Sequence, residues 1–174
     1  MQGRVDGDEG QLVAIKTFSS CEDSVAASRS EASVYRHLKD LQGVVIPTFL
    51  GTGQVPLTGT GFLLTSLVEG RPLSSITCLD PKKGKEVAEA ARQALSLIHK
   101  HGVAHGDVRL QNILLLDEEK EERTNGQDLG RNGLPLNGPR IMILDFAQSF
   151  LAQEMTLQAE MKQLDYMFRS WLKS

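Results

Sequence analysis

The sequence predicts an α+β fold in two parts, a small sheet carrying one helix and then a mainly helical half. Three observations predict it. Short runs rich in β-branched and aromatic residues, at 11–18, 44–51 and 61–68, gather before residue 70. Apolar residues recur at helical spacing over 22–41, over 81–100 and from about 152 to the end. Between the halves, Glu69-Gly70-Arg71-Pro72-Leu73 ends the third run abruptly, as a linker between two lobes would.

Taken in order, residues 1–10 are turn-rich and expected to be loose. Strand 11–18 sets Val13 and Ile15 on one face and Leu12, Ala14, Lys16 and Phe18 on the other. A lysine on a largely apolar face has to snorkel to water or find a partner. In 22–41, Val25, Ala32, Tyr35, Leu38 and Leu41 build an apolar stripe, and Gly43 is placed to stop the helix. Glu31 borders that stripe one turn before Tyr35. Solvated glutamate is the commoner role there, but a carboxylate at this point can reach Lys16 on a neighbouring strand.

Residues 44–51 read as a short strand bent by Pro47, 53–60 as a hairpin turn and 61–68 as a strand. Asp80-Pro81 is a strong helix start, N-cap and first position, and Ala88, Ala91, Leu95 and Ile98 mark the buried face that follows. The apolar runs 113–116 and 141–144 read as two short buried strands. The polar, glycine-bearing stretch 117–140 between them has little to bury and is expected to be a mobile insertion. In the last helix Leu157, Met161, Leu164, Phe168 and Trp171 share a face, a stripe that suits core packing. No internal repeat is visible.

At 174 residues the chain can bury a real core, and 40% apolar with 24% charged residues is ordinary for a globular protein. A net charge of -3 argues against a dedicated nucleic-acid binder. Cys21 and Cys78 lie far apart with no CxxC spacing, so two free thiols in a reducing compartment are expected. The polar N-terminus does not read as a signal peptide, and no apolar run approaches a membrane span. The expectation is a cytoplasmic protein with neither a membrane nor a nucleic acid as partner.

Residues 101–116 run from a helix end through a loop into a strand. In that loop Asp107 and Asn112 stand with four residues between them. This spacing can set a carboxylate beside a nucleophile and an amide oxygen beside a metal ion. Asp145 follows the apolar run 141–144, and Lys16 rides the first strand. Lysine, then Asp…Asn, then Asp-Phe, in that order, are the parts of a nucleotide-dependent phosphoryl-transfer site. Such a transfer needs positioning and charge neutralisation more than covalent chemistry. Lys16 is the point charge for the phosphates, and Glu31 would hold it in place. Asp145 and Asn112 are the candidate ligands of Mg²⁺, an ion that takes oxygen donors and keeps several waters. Asp107 is the candidate base for an attacking hydroxyl, and Arg109 could offer charge to the transferred group. Singly, each has an ordinary role: Asp107 and Asn112 as loop caps, Asp145 at a turn, His105 as a structural histidine. His99, His101 and His105 lack a fourth ligand for a metal site. Only the joint order and spacing escape these ordinary readings.

Val13-Ala14-Ile15-Lys16, Glu31 within Glu-Ala-Ser-Val-Tyr-Arg-His-Leu, the stretch His105–Asn112 and Asp145-Phe146-Ala147 together resemble the strand lysine, C-helix glutamate, catalytic loop and Asp-Phe-Gly motifs of the protein-kinase-like superfamily. The tone of the sequence is similar to small, compact fungal kinase-like proteins. The resemblance implies an N-lobe over 1–68, an antiparallel sheet plus C-helix, then a hinge and a strongly reduced helical C-lobe over 69–174. It implies Thr65 as gatekeeper, with Ser66, Leu67 and Val68 lining the hinge and facing adenine. It further implies ATP and Mg²⁺ as cofactors and a hydroxyl acceptor, protein or small molecule.

The chain departs from the family pattern in four places. No Gly-x-Gly-x-x-Gly precedes Lys16; only Gly3, Gly7 and Gly10 stand there, so the glycine-rich lid is incomplete. Gly106 replaces the arginine of His-Arg-Asp, as in kinase-like enzymes acting on small molecules, including aminoglycoside phosphotransferases. Ala147 replaces the glycine after Asp-Phe. About one helix follows, without the Ala-Pro-Glu segment. Three readings result: an active phosphotransferase, a pseudokinase that binds nucleotide or protein, or a piece of a longer kinase whose earlier strands supply the lid.

Overall fold

The computed structural model describes residues 2–4, 12–77, 79–117 and 138–173. Gly7 and Gly10, Cys78 and most of the 117–140 insertion lie outside the described residues. Among the described residues the architecture is α+β, with small antiparallel sheets and three α-helices.

The first sheet has four strands: β1 (Gln2–Arg4), β2 (Leu12–Phe18), β3 (Phe49–Gln54) and β4 (Gly61–Ser66), in the order β1-β2-β4-β3. Part of the turn-rich start, read as loose, is therefore paired: Gly3 lies opposite Val13. Alternation in β4 buries Gly61, Leu63 and Thr65 against the helix side, as a period of two requires. Helix α1 (Glu22–His37) buries Ser28, Glu31, Ala32 and Tyr35, the i, i+3, i+4, i+7 face.

Two boundaries differ from the sequence reading. The helix expected to reach residue 41 stops at His37, and Lys39–Leu41 form a 3₁₀ turn. Three residues per turn bring Leu38 and Leu41 onto one side, and both are buried. Gly43, at φ 73°, makes the reversal after that turn rather than ending the helix. Residues 44–46 are not a strand either, because the amides of Val44, Val45 and Ile46 all turn back to Leu41 O, at 3.1, 3.1 and 3.3 Å. Pairing begins only past Pro47, which has no N–H to give.

The linker is shorter than the sequence suggests. Leu67 N–H still donates to Leu12 O at 3.1 Å, and β5 (Arg71–Pro72) already belongs to a second sheet. That sheet runs β5-β7-β8 through β7 (Ile113–Leu115) and β8 (Ile141–Ile143). The ends of the 117–140 stretch are tied down: Leu116 N–H donates to Arg140 O at 3.0 Å, and Asp117 pairs with Arg71 at 3.5 Å. A third sheet pairs β6 (Val103–Ala104) with β9 (Phe150–Leu151).

Helix α2 (Pro81–Lys100) starts as expected, with Asp80 Oδ2 accepting from the amides of Lys82 and Lys83. It runs through the core, where Val87, Ala91, Leu95 and Ile98 meet Leu38, Ile46, Ile143 and Phe146, and Leu164 and Phe168 of α3 (Glu154–Trp171). Among the described residues, no helix is long and apolar enough to cross a membrane.

Cys21 caps α1 and is exposed. The hydroxyls of Ser19 and Ser24, each 3.1 Å from Sγ, pull the thiol down to about 7. Cys21 is therefore expected to alkylate faster at pH 7 than an ordinary exposed thiol, which iodoacetamide labelling read by mass spectrometry measures. A rate equal to that of free cysteine would contradict it.

Candidate functional site

A cleft of about 330 Å³ opens between the first and second sheets. Ala14, Ile15 and Lys16 of β2 line it with Glu31 and Tyr35 of α1, Thr65 and Ser66 of β4, Leu67 and Val68. Leu114, Leu144 and Asp145 close the other side.

Lys16 is the centre of the polar wall. Its Nζ donates to Glu31 Oε2 at 2.9 Å and to Asp145 Oδ1 at 2.6 Å. Burial pulls the lysine pKa down, but the bonds to Asp145 and Glu31 outweigh it, and the ammonium sits above its ordinary value. Glu31 is nearly sealed from water, at 2% exposure. Burial there is the largest influence and holds its carboxyl above the usual range despite the lysine. Asp145 is half open. Burial pushes it up, Lys16 pulls it down further, and the net is a carboxyl below the usual range.

Asp145 also has φ 66°, the one non-glycine positive φ among the described residues. That conformation costs roughly 1–2 kcal/mol for an L-residue, and aspartate is among the side chains that tolerate it. Phe146 follows it into the core, between the rings of Tyr35 (5.2 Å between centroids) and His105 (5.0 Å).

The loop before β7 is held from below. His105 is fully buried; its Nε2–H donates to Leu144 O at 2.8 Å, and Nδ1 accepts from the Asp107 amide at 3.3 Å. Burial pulls its pKa below the ordinary imidazole value, against the neighbouring carbonyl and carboxylates, so the ring is neutral in this tautomer. Its expected structural role stands. Glu160 of α3 accepts the amides of His105 (3.0 Å) and Gly106 (2.7 Å), and His99 Nε2–H at 2.7 Å. Burial pushes this carboxyl up, but the three donors outweigh it and leave it below the usual range.

Asp107, Arg109 and Asn112 form a second cluster beside the cleft and are not in its lining. Asn112 Nδ2 donates to Asp107 O at 3.0 Å and Oδ2 at 3.3 Å, while Arg109 Nε pairs with Oδ1 at 2.5 Å. Backbone joins the clusters: Leu144 N–H donates to Asn112 O at 2.8 Å, directly before Asp145. Lys16, Glu31, Thr65, Ser66, Val68 and Asp145 therefore share one cavity, and Asp107, Arg109 and Asn112 flank it. A Mg²⁺-type ion takes oxygen donors from one or two protein groups and completes its shell with waters and substrate oxygens. The Asp145 carboxylate and the Asn112 amide oxygen fit that donor set. Among the described residues no group of three His, Cys, Asp or Glu side chains could hold a metal alone.

Sequence reasoning missed Glu160 and Ser149. Glu160 lay within reach: it sits three residues after Leu157 and four before Leu164, on the apolar stripe of α3, where an ionisable residue needs partners. Ser149, which donates from Oγ to His105 O at 2.8 Å, carried no such signal. No protein-family model and no curated protein matches the chain.

Proposed function

We propose that the chain is a protein-kinase-like phosphotransferase that moves the γ-phosphoryl group of Mg-ATP to a hydroxyl acceptor. The observation that carries this reading is Lys16, bridged to Glu31 and Asp145 from three separate elements in the wall of one cleft. A lone ammonium could find one carboxylate by chance; a lysine held between a 2%-exposed glutamate and a left-handed aspartate is a built arrangement. The two-lobed fold, with 1–68 as N-lobe, belongs to the same proposal. It is supported by the order sheet, helix, short linker and helical half.

In this reading the apolar side of the cleft, with Thr65 and the segment Ser66–Val68, takes the base of the nucleotide. Lys16, oriented by Glu31, meets the phosphates. Asp145 and Asn112 would hold Mg²⁺, which supplies charge neutralisation at the phosphate oxygens. Asp107 orients the acceptor hydroxyl and takes its proton. Arg109, exposed and beside Asp107, offers charge to the transferred group.

The test is a thermal-shift titration with Mg-ATP, followed by ADP release in an acceptor screen. At 100-fold over Kd the ligand should stabilise the wild type by about 2.7 kcal/mol. Lys16→Met and Asp145→Asn are each expected to weaken binding at least tenfold, on the order of the loss of one charge-assisted bond. Stabilisation surviving both substitutions intact would end the proposal.

One observation favours a second reading, a nucleotide-binding module without transfer: the Asp107 carboxylate is already closed by Arg109 and Asn112. Tight Mg-ATP binding with no ADP release above an Asp107→Asn control would select it.

A further inference from the structure

Both ends of the segment around Asp145 are tied to one residue. On the near side, His105 Nε2–H donates to Leu144 O at 2.8 Å. On the far side, Ser149 Oγ donates to His105 O, also at 2.8 Å. Ser149 is buried, and its own amide bonds back to Phe146 O at 3.1 Å, closing the turn between them. Beyond Ser149, β9 is laddered to β6, with Ala104 opposite Phe150, and leads into α3, so backbone pairing also anchors this side, while the exposed Phe150 and Leu151 side chains add little packing. Within the segment, the Ser149 hydroxyl is the side-chain bond that ties the far side to His105. Inside this closure lies the strained aspartate, and a strained backbone persists only where its surroundings over-determine it. Ser149 itself is not in the cleft lining, so any effect on a ligand there has to pass through the segment.

We propose that Ser149 is a positioning residue for the Asp145 carboxylate: its bond to His105 O closes the 144–149 segment and keeps Asp145 left-handed, with its carboxylate turned to Lys16 and the cleft. The nucleotide arm of the test rests on the function proposed above; the backbone arm does not.

The backbone arm is hydrogen exchange on the ligand-free protein. Ser149→Ala is expected to speed exchange of the 146–150 amides about tenfold, the size of one lost buried hydrogen bond. Amides of α1 should stay at wild-type rates. In the nucleotide arm, Ser149→Ala should raise the Kd for Mg-ATP about tenfold and leave that for ATP in EDTA within about twofold, because the displaced group is the candidate cation ligand. Ser149→Thr, which keeps the hydroxyl, should restore both readouts to within about twofold of wild type.

Unchanged exchange at 146–150 in Ser149→Ala overturns the inference, whatever the nucleotide does. Equal weakening of Mg-ATP and metal-free ATP overturns it too, since that marks a general loss of structure. A threonine variant as impaired as the alanine one does the same. Failure of the wild type to bind Mg-ATP strikes the proposed function instead, and exchange alone then decides the role of Ser149.

Discussion

Gly106→Ala is expected to destabilise the protein by about 3 kcal/mol or more, the sum of a positive-φ penalty and an overpacking penalty. Gly106 has φ 80°, and a Cβ there would stand 2.1 Å from Gln148 O and 2.8 Å from Gln148 C. Both atoms are backbone, so no side chain can swing aside. For a chain of this length the fall in Tm is roughly 10 °C. Gly102→Ala is the control. Its φ is 71°, with nothing within 4 Å of the added Cβ, so it carries the dihedral cost alone, about 1–2 kcal/mol. Chemical denaturation of the two variants measures the difference. Equal losses would show that the contact with Gln148 is easily relieved. The same contact gives a physical reason for glycine between His105 and Asp107: the segment after Asp145 passes where any side chain would stand.

Glu160→Gln is expected to cost about 3 kcal/mol, since one acceptor oxygen is exchanged for an amide N–H₂ that faces buried donors. In the native protein the two oxygens satisfy His105 N–H, Gly106 N–H and His99 Nε2–H. The variant should also change the acid limb of the stability curve. The folded pKa of Glu160 lies below its ordinary value, so the unfolded chain binds the proton more readily. Its contribution is fully present above the unfolded pKa and is lost as pH falls through the depressed folded one. Glu31 acts in the opposite sense: its raised folded pKa makes stability rise as pH falls through it. Glu160→Gln removes its own share of the first slope and leaves the share of Asp145, also depressed, and the opposing slope of Glu31. Urea midpoints between pH 3 and 7 read this, and a variant whose acid limb parallels the wild type would refute the assignment.

The parts of the fold that could be read from the sequence are those governed by local rules. The Asp80-Pro81 helix start, the alternation of β4 and the apolar face of α2 follow from periodicity and capping. The boundaries that shifted were set by partners distant from the pattern. Residues 44–46 look like a strand on composition, yet their amides are captured by Leu41 O. Residues 69–73 look like a linker, yet Arg71 pairs with Leu115, a residue far along the chain. The candidate site divides in the same way. Lys16 and Glu31 were legible because a charge on a largely apolar face needs a partner, and they meet; Asp145 was legible from its order in the chain as a candidate ion ligand, and its bond to Lys16 comes only from the fold. Glu160 is hidden in the sequence because the stripe it lies on is defined by its apolar members. Ser149 could not be found from sequence: a serine after a short strand is common, and only the fold brings it to His105 O.

The crossing between the first two sheets has a mechanical consequence. Leu67 is bonded to Leu12 and Arg71 is paired with Leu115, so Val68, Glu69 and Gly70 alone span the gap without ladder partners. At Gly70 a Cβ would stand 2.8 Å from Leu115 O, which pins even the end of this short span. The two halves are also joined through space: Ile143 N–H donates to Val45 O at 2.8 Å, the rings of Tyr35 and Phe146 meet edge to face at 5.2 Å, and Lys16 bonds Asp145 at 2.6 Å. Any hinge motion about residues 68–70 has to give up these contacts, so the width of the cleft is set from both its covalent and its non-covalent side.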